Sequence, residues 1–196
     1  MENGIIILAA GNSSRLGKPK QLLTFQGKSL LQIATEAAIE TEANAIVTVL
    51  GAFAKEIFAA HQHPHINYII NESWEKGMST SINAGLVELL RLNPALDNVI
   101  IMVADQAFLS SSILTQLIAK KEQTQYPIIA SNYGNTIGTP VLFNKKYFAA
   151  LMNLIGDTGA KHLLQQHPNE VATINFEKGL IDIDTEADYD NLTKQK

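Results

Sequence analysis

Residues 4–11 read Gly-Ile-Ile-Ile-Leu-Ala-Ala-Gly, and this short run decides the fold. An unbroken apolar stretch ended by a glycine is the mark of a strand buried on both faces. Such a strand needs helices above and below it, and the chain supplies them. Residues 45–50 (AIVTVL) and 98–103 (NVIIMV) repeat the pattern, and 66–70 (INYII) gives a shorter version. Between these runs the spacing predicts a helix over 29–42, with Ser29 as N-cap and Leu30, Leu31, Ile33, Ala34, Ala37 and Ala38 on its inner face. Further helices are predicted over 52–61, over 79–92 with Ile82, Leu86, Leu89 and Leu90 on one side, and over 110–122, opened by three serines. The last third is less regular. Short strands are expected at 127–130, 140–143, 171–175 and 180–183, and helices at 145–153, 158–166 and 186–193. Alternating strands and helices predict one domain over residues 1–196, an α/β/α sandwich with a mostly parallel sheet. Ligands of such sheets sit at the carboxyl ends of the strands, so the loops that follow strands are the places to search.

Composition narrows the partners. The chain has 196 residues, 46% of them hydrophobic and 17% charged, with a net charge of −4. A broad basic surface for nucleic acid is not expected. No apolar run approaches the ~20 residues of a membrane span. The first apolar stretch lacks the basic flank of a signal peptide, so a cytoplasmic protein is expected. There is no cysteine, which removes disulfides, thiolate nucleophiles and cysteine-based metal sites. Positive charge is concentrated locally, with Arg15, Lys18 and Lys20 inside six residues.

Those cations belong to LAAGNSSRLGKPKQLL, residues 8–23. Gly11 lets a ligand approach the backbone, and the amides of Asn12, Ser13 and Ser14 can form an anion-binding nest. Arg15, Lys18 and Lys20 can bring charge to a polyphosphate. A Walker A loop is excluded, because five residues separate Gly11 from Gly17 and Pro19 stands where a magnesium-ligating hydroxyl is required. The dinucleotide pattern GxGxxG is also absent. A solvated basic loop with incidental glycines remains the plainer alternative for such a segment taken alone.

Carboxylates appear at two other places. Asp105 ends NVIIMVAD, where a buried strand should emerge at the ligand edge, and can ligate magnesium. Position alone slightly favours a helix cap or turn. In LIDIDTEADYDNL, residues 180–192, Asp182 and Asp184 fall on one face of a strand. Asp184 also precedes Thr185, a plausible N-cap with Asp188 as its capping-box partner. The segment NESWEKGMSTSINAGL, residues 71–86, sets Gly77 and Met78 before a helix that opens with Ser79, Thr80 and Ser81. A helix start of this kind suits anions or ribose hydroxyls, although it is also an ordinary capped helix with Trp74 as a packing residue.

Taken together, these strings resemble the MobA-like NTP transferases, in the branch of molybdenum cofactor cytidylyltransferase. The first loop matches LAAGxSxRLGxPKxLL, and 71–86 matches NxxWxxGMxxSIxxGL. MVADQ and DIDT look like the two metal motifs. GTPVLF at 138–143 and GDTGAKHLL at 156–164 match two further strings of that branch. The resemblance implies a Rossmann-like, nucleotide-diphospho-sugar transferase-like fold. It implies that the strand end and loop, Leu8, Ala9, Ala10, Gly11, Asn12, Ser13 and Ser14, meet the nucleotide, with Arg15 and Lys20 on the triphosphate. Gly77, Met78, Ser79 and Ser81 would lie near base and sugar. Asp105 and Asp184 would hold Mg2+, for which Mn2+ can substitute, and Arg15, Lys20 and Asp105 would be catalytic. Asp157 and Lys161 would face the acceptor, and Asp182 would be structural.

The implied reaction is transfer of NMP from an NTP to a phosphorylated small molecule, with CTP and molybdopterin as the closest match. Ala9-Ala10, where the guanylyl branch has Gly-Gly, favours cytidine. A molybdoenzyme or maturation chaperone is a possible partner. The alternatives are a sugar- or polyol-phosphate nucleotidyltransferase and a non-catalytic nucleotide-binding or cofactor-maturation module. Two departures stand out: Ala107 replaces the usual proline after Asp-Gln, and Lys161 replaces arginine, which loses a bidentate fork. His61, His63 and His65 alternate, but Pro64 makes a solvated turn the preferred reading over a metal site.

Overall fold

The computed structural model describes residues 1–196 apart from Arg15, Asp182, Asp184, Gln195 and Lys196. Its strands are β1 (Asn3–Ala9), β2 (Thr24–Phe25), β3 (Lys28–Ser29), β4 (Ala45–Leu50), β5 (Asn67–Ile70), β6 (Asn98–Val103), β7 (Ile128–Asn132), β8 (Ile137–Asn144) and β9 (Val171–Asn175). Its helices are α1 (Leu30–Ile39), α2 (Ala54–Ala60), α3 (Met78–Leu92), α4 (Ser111–Thr124), α5 (Phe148–Met152), α6 (Lys161–Gln166) and α7 (Glu186–Lys194). Seven strands form one sheet in the order β5-β4-β1-β6-β8-β7-β9, and β2 and β3 form a separate hairpin. Among the described residues of the seven-stranded sheet, β8 alone is antiparallel to its neighbours, and the other ladders of that sheet are parallel. This is the expected mostly parallel sheet. No helix among the described residues is long and apolar enough to cross a membrane.

Alternation along β1 sorts the core into two layers. Ile5, Ile7 and Ala9 face Leu31, Ala34 and Ala38 of α1, together with Ile57 of α2 and Leu114 and Leu117 of α4. Ile6 and Leu8 face Ile82, Leu86 and Leu89 of α3, with Leu151 of α5 and Leu163 and Leu164 of α6. A strand with apolar residues on both faces can be satisfied only between two helical layers. Helix α3 meets the sheet closely at Gly85, where an added Cβ would lie 2.7 Å from Ile6 Cγ2 and 3.0 Å from Val49 Cγ2.

A third apolar cluster anchors the chain's last segment. Leu16, Leu23, Phe25 and Leu30 pack with Ala107, Ile183 and Leu192, so the loop after β1 rests against α7. Ala107 thus fills a buried apolar place where the resembling sequences carry proline. The start of α7 is closed by a reciprocal capping box: the Thr185 N–H donates to Asp188 Oδ2 at 2.9 Å, and the Asp188 N–H donates to Thr185 Oγ1 at 3.2 Å.

Three local expectations differ from the structure. Residues 177–180 form a 3-10 turn, and Leu180, Ile181 and Ile183 join no ladder, because β9 already takes the edge beside β7. The alternation of Ile181 and Ile183 instead serves the third cluster. The helix expected over 158–166 begins only at Lys161. The Thr158 hydroxyl is engaged by the Ile155 carbonyl, and Gly159 presses on Met78, where an added Cβ would lie 2.8 Å from Sδ. The β2–β3 hairpin was not expected; Gln26 and Gly27 turn it with positive φ.

Gly85→Val should push α3 off the sheet. Overpacking of this kind costs ~1–3 kcal/mol. The expected outcome is a fall in Tm of roughly 2–4 °C for each kcal/mol lost, read by circular dichroism.

Candidate active site

The adjacent strands β1 and β6 end at the same edge of the sheet, with Leu8 opposite Val103. The Ala104 N–H extends that ladder by donating to the Leu8 carbonyl at 3.0 Å. Asp105 therefore emerges beside the loop that follows β1. That loop folds back through a 3-10 turn, Lys20–Leu22, and sends Lys20 toward the same edge. Lys20 Nζ lies 2.5 Å from Asp105 Oδ2, and the two side chains are only 18% and 17% exposed. An ion pair so placed is screened less than one on an open surface.

Two cavities meet at this pair. The first, of about 360 Å3, opens between the loop after β1 and the start of α3. Leu8, Ala10, Gly11, Asn12, Lys20, Gly77, Met78, Ser81, Asp105 and Asp157 are among its walls. The second, of about 560 Å3, lies toward β8 and α6 and includes Lys161. Lys20, Met78, Val103, Asp105 and Asp157 belong to both. The second is largely apolar, with Ile137, Val141, Leu164, Leu180 and Ile181 on its walls.

Backbone chemistry shapes the first cavity. Gly77 has φ +106°, and a Cβ there would lie 2.3 Å from the Gly156 carbonyl carbon. The Ser79 N–H donates to the Gly156 carbonyl at 3.2 Å, which ties the start of α3 to the turn carrying Asp157. Gly51 is similarly crowded, since its Cβ would meet the Ala10 carbonyl oxygen at 2.5 Å and Trp74 Cβ at 2.9 Å. Asn71 Nδ2 donates to Ser81 Oγ at 2.9 Å and to Thr80 Oγ1 at 2.8 Å. The Ser81 oxygen thus accepts a proton from behind, and its own proton is available to a ligand acceptor.

The remaining expected residues are placed as follows. Ala9 faces the α1 layer, and its carbonyl accepts from Gln21 Nε2 at 3.0 Å. Ser13 and Ser14 lie in the loop outside the first cavity's walls. The Ser14 N–H donates to Asn12 Oδ1 at 3.3 Å, and Ser13 Oγ accepts the Lys20 N–H at 3.2 Å. Those two amides are therefore engaged in holding the loop itself. Ser79 is buried beneath the start of α3. Lys18 points away and pairs with Glu186 at 3.3 Å. Arg15 and Asp184 lie outside the described residues, as does Asp182. His61 bonds Thr35 Oγ1 at 3.1 Å, and burial lowers its pKa below the ordinary imidazole value. His63 Nδ1 accepts the His65 N–H.

Sequence reasoning missed several wall residues: Gln21, Trp74 and Glu75 in the first cavity, and Gln106, Tyr133 and Thr139 in the second. For Gln21 and Gln106 the available signal was adjacency to Lys20 and Asp105. Trp74 sits inside a matched string, which is the signal that marks it as more than a packing residue.

Among the described residues, no group of three or more histidine or acidic side chains gathers into a ready cation cage. A magnesium-type ion does not require one. It keeps several waters and takes one or two carboxylates plus phosphate oxygens. Asp105, already beside a cationic group and bordering both cavities, has the hard oxygen chemistry for that role.

Comparison with known proteins bears on this geometry. Nicotine blue oxidoreductase of Paenarthrobacter nicotinovorans is 28% identical over 170 residues, covering 83% of this chain and 81% of that protein. Purine catabolism protein PucB of Bacillus subtilis is 26% identical over 199 residues, covering 96% and 95%. The crystal structure of Rv0371c from Mycobacterium tuberculosis H37Rv matches with a TM-score of 0.86 and 27% identity, over 99% of this chain and 98% of that one. The same protein in complex with manganese matches with a TM-score of 0.82 and 24% identity, over all of both chains. The model of the MobA-like NTP transferase domain matches residues 5–171, and the chain belongs to that family.

Proposed function

We propose that this protein transfers NMP from an NTP to a phosphorylated small molecule and releases pyrophosphate, with CTP and molybdopterin as donor and acceptor. The observation that carries the reading is the Lys20–Asp105 pair at the junction of two cavities. A transfer between two bound molecules needs two chambers with the reacting groups at their common wall. The first cavity takes the nucleotide and the second takes the acceptor.

An acceptor phosphate oxygen forms a bond to the α-phosphorus, and the bond from that phosphorus to pyrophosphate breaks. Lys20 stabilises the charge that develops on the phosphate oxygens, and such electrostatic placement is the main demand of phosphoryl-type chemistry. No protein nucleophile is required. Asp105, with Asp184 as the second expected carboxylate, would hold Mg2+ or Mn2+, which neutralises charge and orients the triphosphate when bound. Arg15 is assigned to the triphosphate by its motif alone.

The choice of cytidine rests on the Ala9-Ala10 motif. Ala10, where the guanylyl branch has glycine, lines the first cavity. Ser81 can donate its proton to an acceptor of the base, whichever base is bound. The apolar walls of the second cavity suit a flat heterocycle better than a polyol chain. Lys161, Asp157, Gln106, Tyr133, Thr136 and Thr139 add polar groups to its wall.

A second reading rests on nicotine blue oxidoreductase, whose name assigns an oxidation–reduction to a protein 28% identical to this one. On that reading the first cavity would seat an electron-carrying dinucleotide and Asp105 would need no metal.

The deciding experiment measures pyrophosphate release from CTP, GTP, ATP and UTP against molybdopterin and simple polyol phosphates, with NADH and NADPH oxidation followed in parallel. Release with CTP and molybdopterin is the expected result. Reduced dinucleotide consumed without pyrophosphate would install the second reading. Asp105→Ala should abolish turnover, and wild-type turnover in that variant would remove Asp105 from the reaction. Lys20→Met should lower kcat by ~10²–10³-fold, the usual loss for one transition-state charge partner. Ser81→Ala should raise the KM for CTP by roughly tenfold with less effect on kcat, in keeping with ~1.4 kcal/mol for a lost base contact.

A further inference from the structure

Two buried glutamines stand next to the ion pair in sequence. Gln21 follows Lys20 and is 2% exposed; Gln106 follows Asp105 and is 8% exposed. They are held in the same manner. Gln21 Nε2 donates to the carbonyls of Ala9 at 3.0 Å and Gly11 at 3.3 Å. Gln106 Nε2 donates to the carbonyls of Thr139 at 3.0 Å and Gly179 at 3.3 Å, and lies 3.2 Å from the Tyr133 hydroxyl. In both residues the amide oxygen is buried with no hydrogen-bond partner among the described residues. A buried acceptor without a donor lowers stability. The bonds that these two amides make run through their N–H groups.

We propose that Gln21 and Gln106 are positioning residues for nucleotidyl transfer, the first aiming Lys20 and the second fixing Asp105 for a divalent cation. The assignment rests on the nucleotidyltransferase reading of this site. Gln21 sits in the 3-10 turn that carries Lys20 and ties it to the carbonyls on either side of Ala10. Lys20 is thereby anchored to the rigid end of β1 although its chain position lies in a loop. Gln106 ties the exit of β6 to the entry of β8 and to the turn at 177–180. That turn is itself fixed, because a Cβ on Gly179 would lie 2.4 Å from the Tyr133 ring and 2.6 Å from the Phe176 ring. Asp105 is thus held against the segment that leads to Asp184.

Gln21→Met and Gln106→Met remove the donors at similar side-chain length. Uptake of Mn2+ in the presence of CTP, read from the paramagnetic resonance of free Mn2+, separates the two roles. Gln106→Met should weaken Mn2+ uptake about tenfold, the scale of lost supporting contacts around a metal ligand. Gln21→Met should leave Mn2+ uptake within about twofold of wild type. Its kcat for pyrophosphate release should fall ~10–100-fold with the KM for CTP nearly unchanged, because misplacement affects the transition state most. Should a methionine variant fail to fold, Gln21→Asn and Gln106→Asn keep the donor on a shorter stem and should show smaller losses in the same direction. Equal losses of kcat with wild-type Mn2+ uptake in both variants would overturn the assignment, as would two variants indistinguishable from wild type. A wild-type protein that neither releases pyrophosphate nor takes up Mn2+ with any nucleotide defeats the transfer reading itself, and the assignment with it.

Discussion

Opposite charges in the segments that follow two neighbouring parallel strands set the main constraint on this molecule. Lys20 and Asp105 meet only because β1 and β6 are paired in a register that brings both following segments to one edge. A slip of one residue would exchange the two faces of β6 and send Ile100 and Ile101 into the wrong layers. The core thus enforces the register, and the register delivers the pair. Neither charge is well solvated, so either one left alone would be poorly accommodated there. Core and site are therefore coupled through backbone geometry, with no direct contact needed between them.

Around that pair the site is built from close backbone approaches. Gly77 against Gly156 and Gly51 against Ala10 bring loops to distances that any side chain would forbid. The turn carrying Asp157 and the start of α3 behave as one wall because of the first of these contacts. Met78, at the head of that wall, borders both chambers with a flexible thioether. A side chain of this kind can adjust to ligands of different outline.

Much of this was legible in the residues. Strands β1, β4 and β6 could be read to within a residue or so, because a strand covered on both faces must be an unbroken apolar run. Ser29 was recognisable as a cap, and its Oγ accepts the Gln32 N–H at 3.1 Å. Lys20 and Asp105 stood out through their motifs. The segment 180–183 misled, since alternating isoleucines look the same whether they pack into a sheet or beneath a helix. The hairpin at 24–29 escaped because strands of two residues carry no periodicity. Gln21 and Gln106 offered only their adjacency to Lys20 and Asp105, and no periodicity marks their bonds. Their partners are carbonyls, which every residue has, and only the chain's topology decides which carbonyls come near.

The position of the single reversed strand bears on how the chain assembles as it is made. The four strands β5, β4, β1 and β6 are complete by residue 103 and pair only with one another on their inner edges. The outer edge of β6 must wait for β8, which ends at Asn144, while β7 is made earlier and has no partner in that half. During synthesis the nascent polypeptide therefore exposes an unpaired sheet edge beside Asp105 for some forty residues of growth. Unpaired edges invite intermolecular pairing, so β8 is the piece whose arrival closes the most vulnerable seam of the newborn protein.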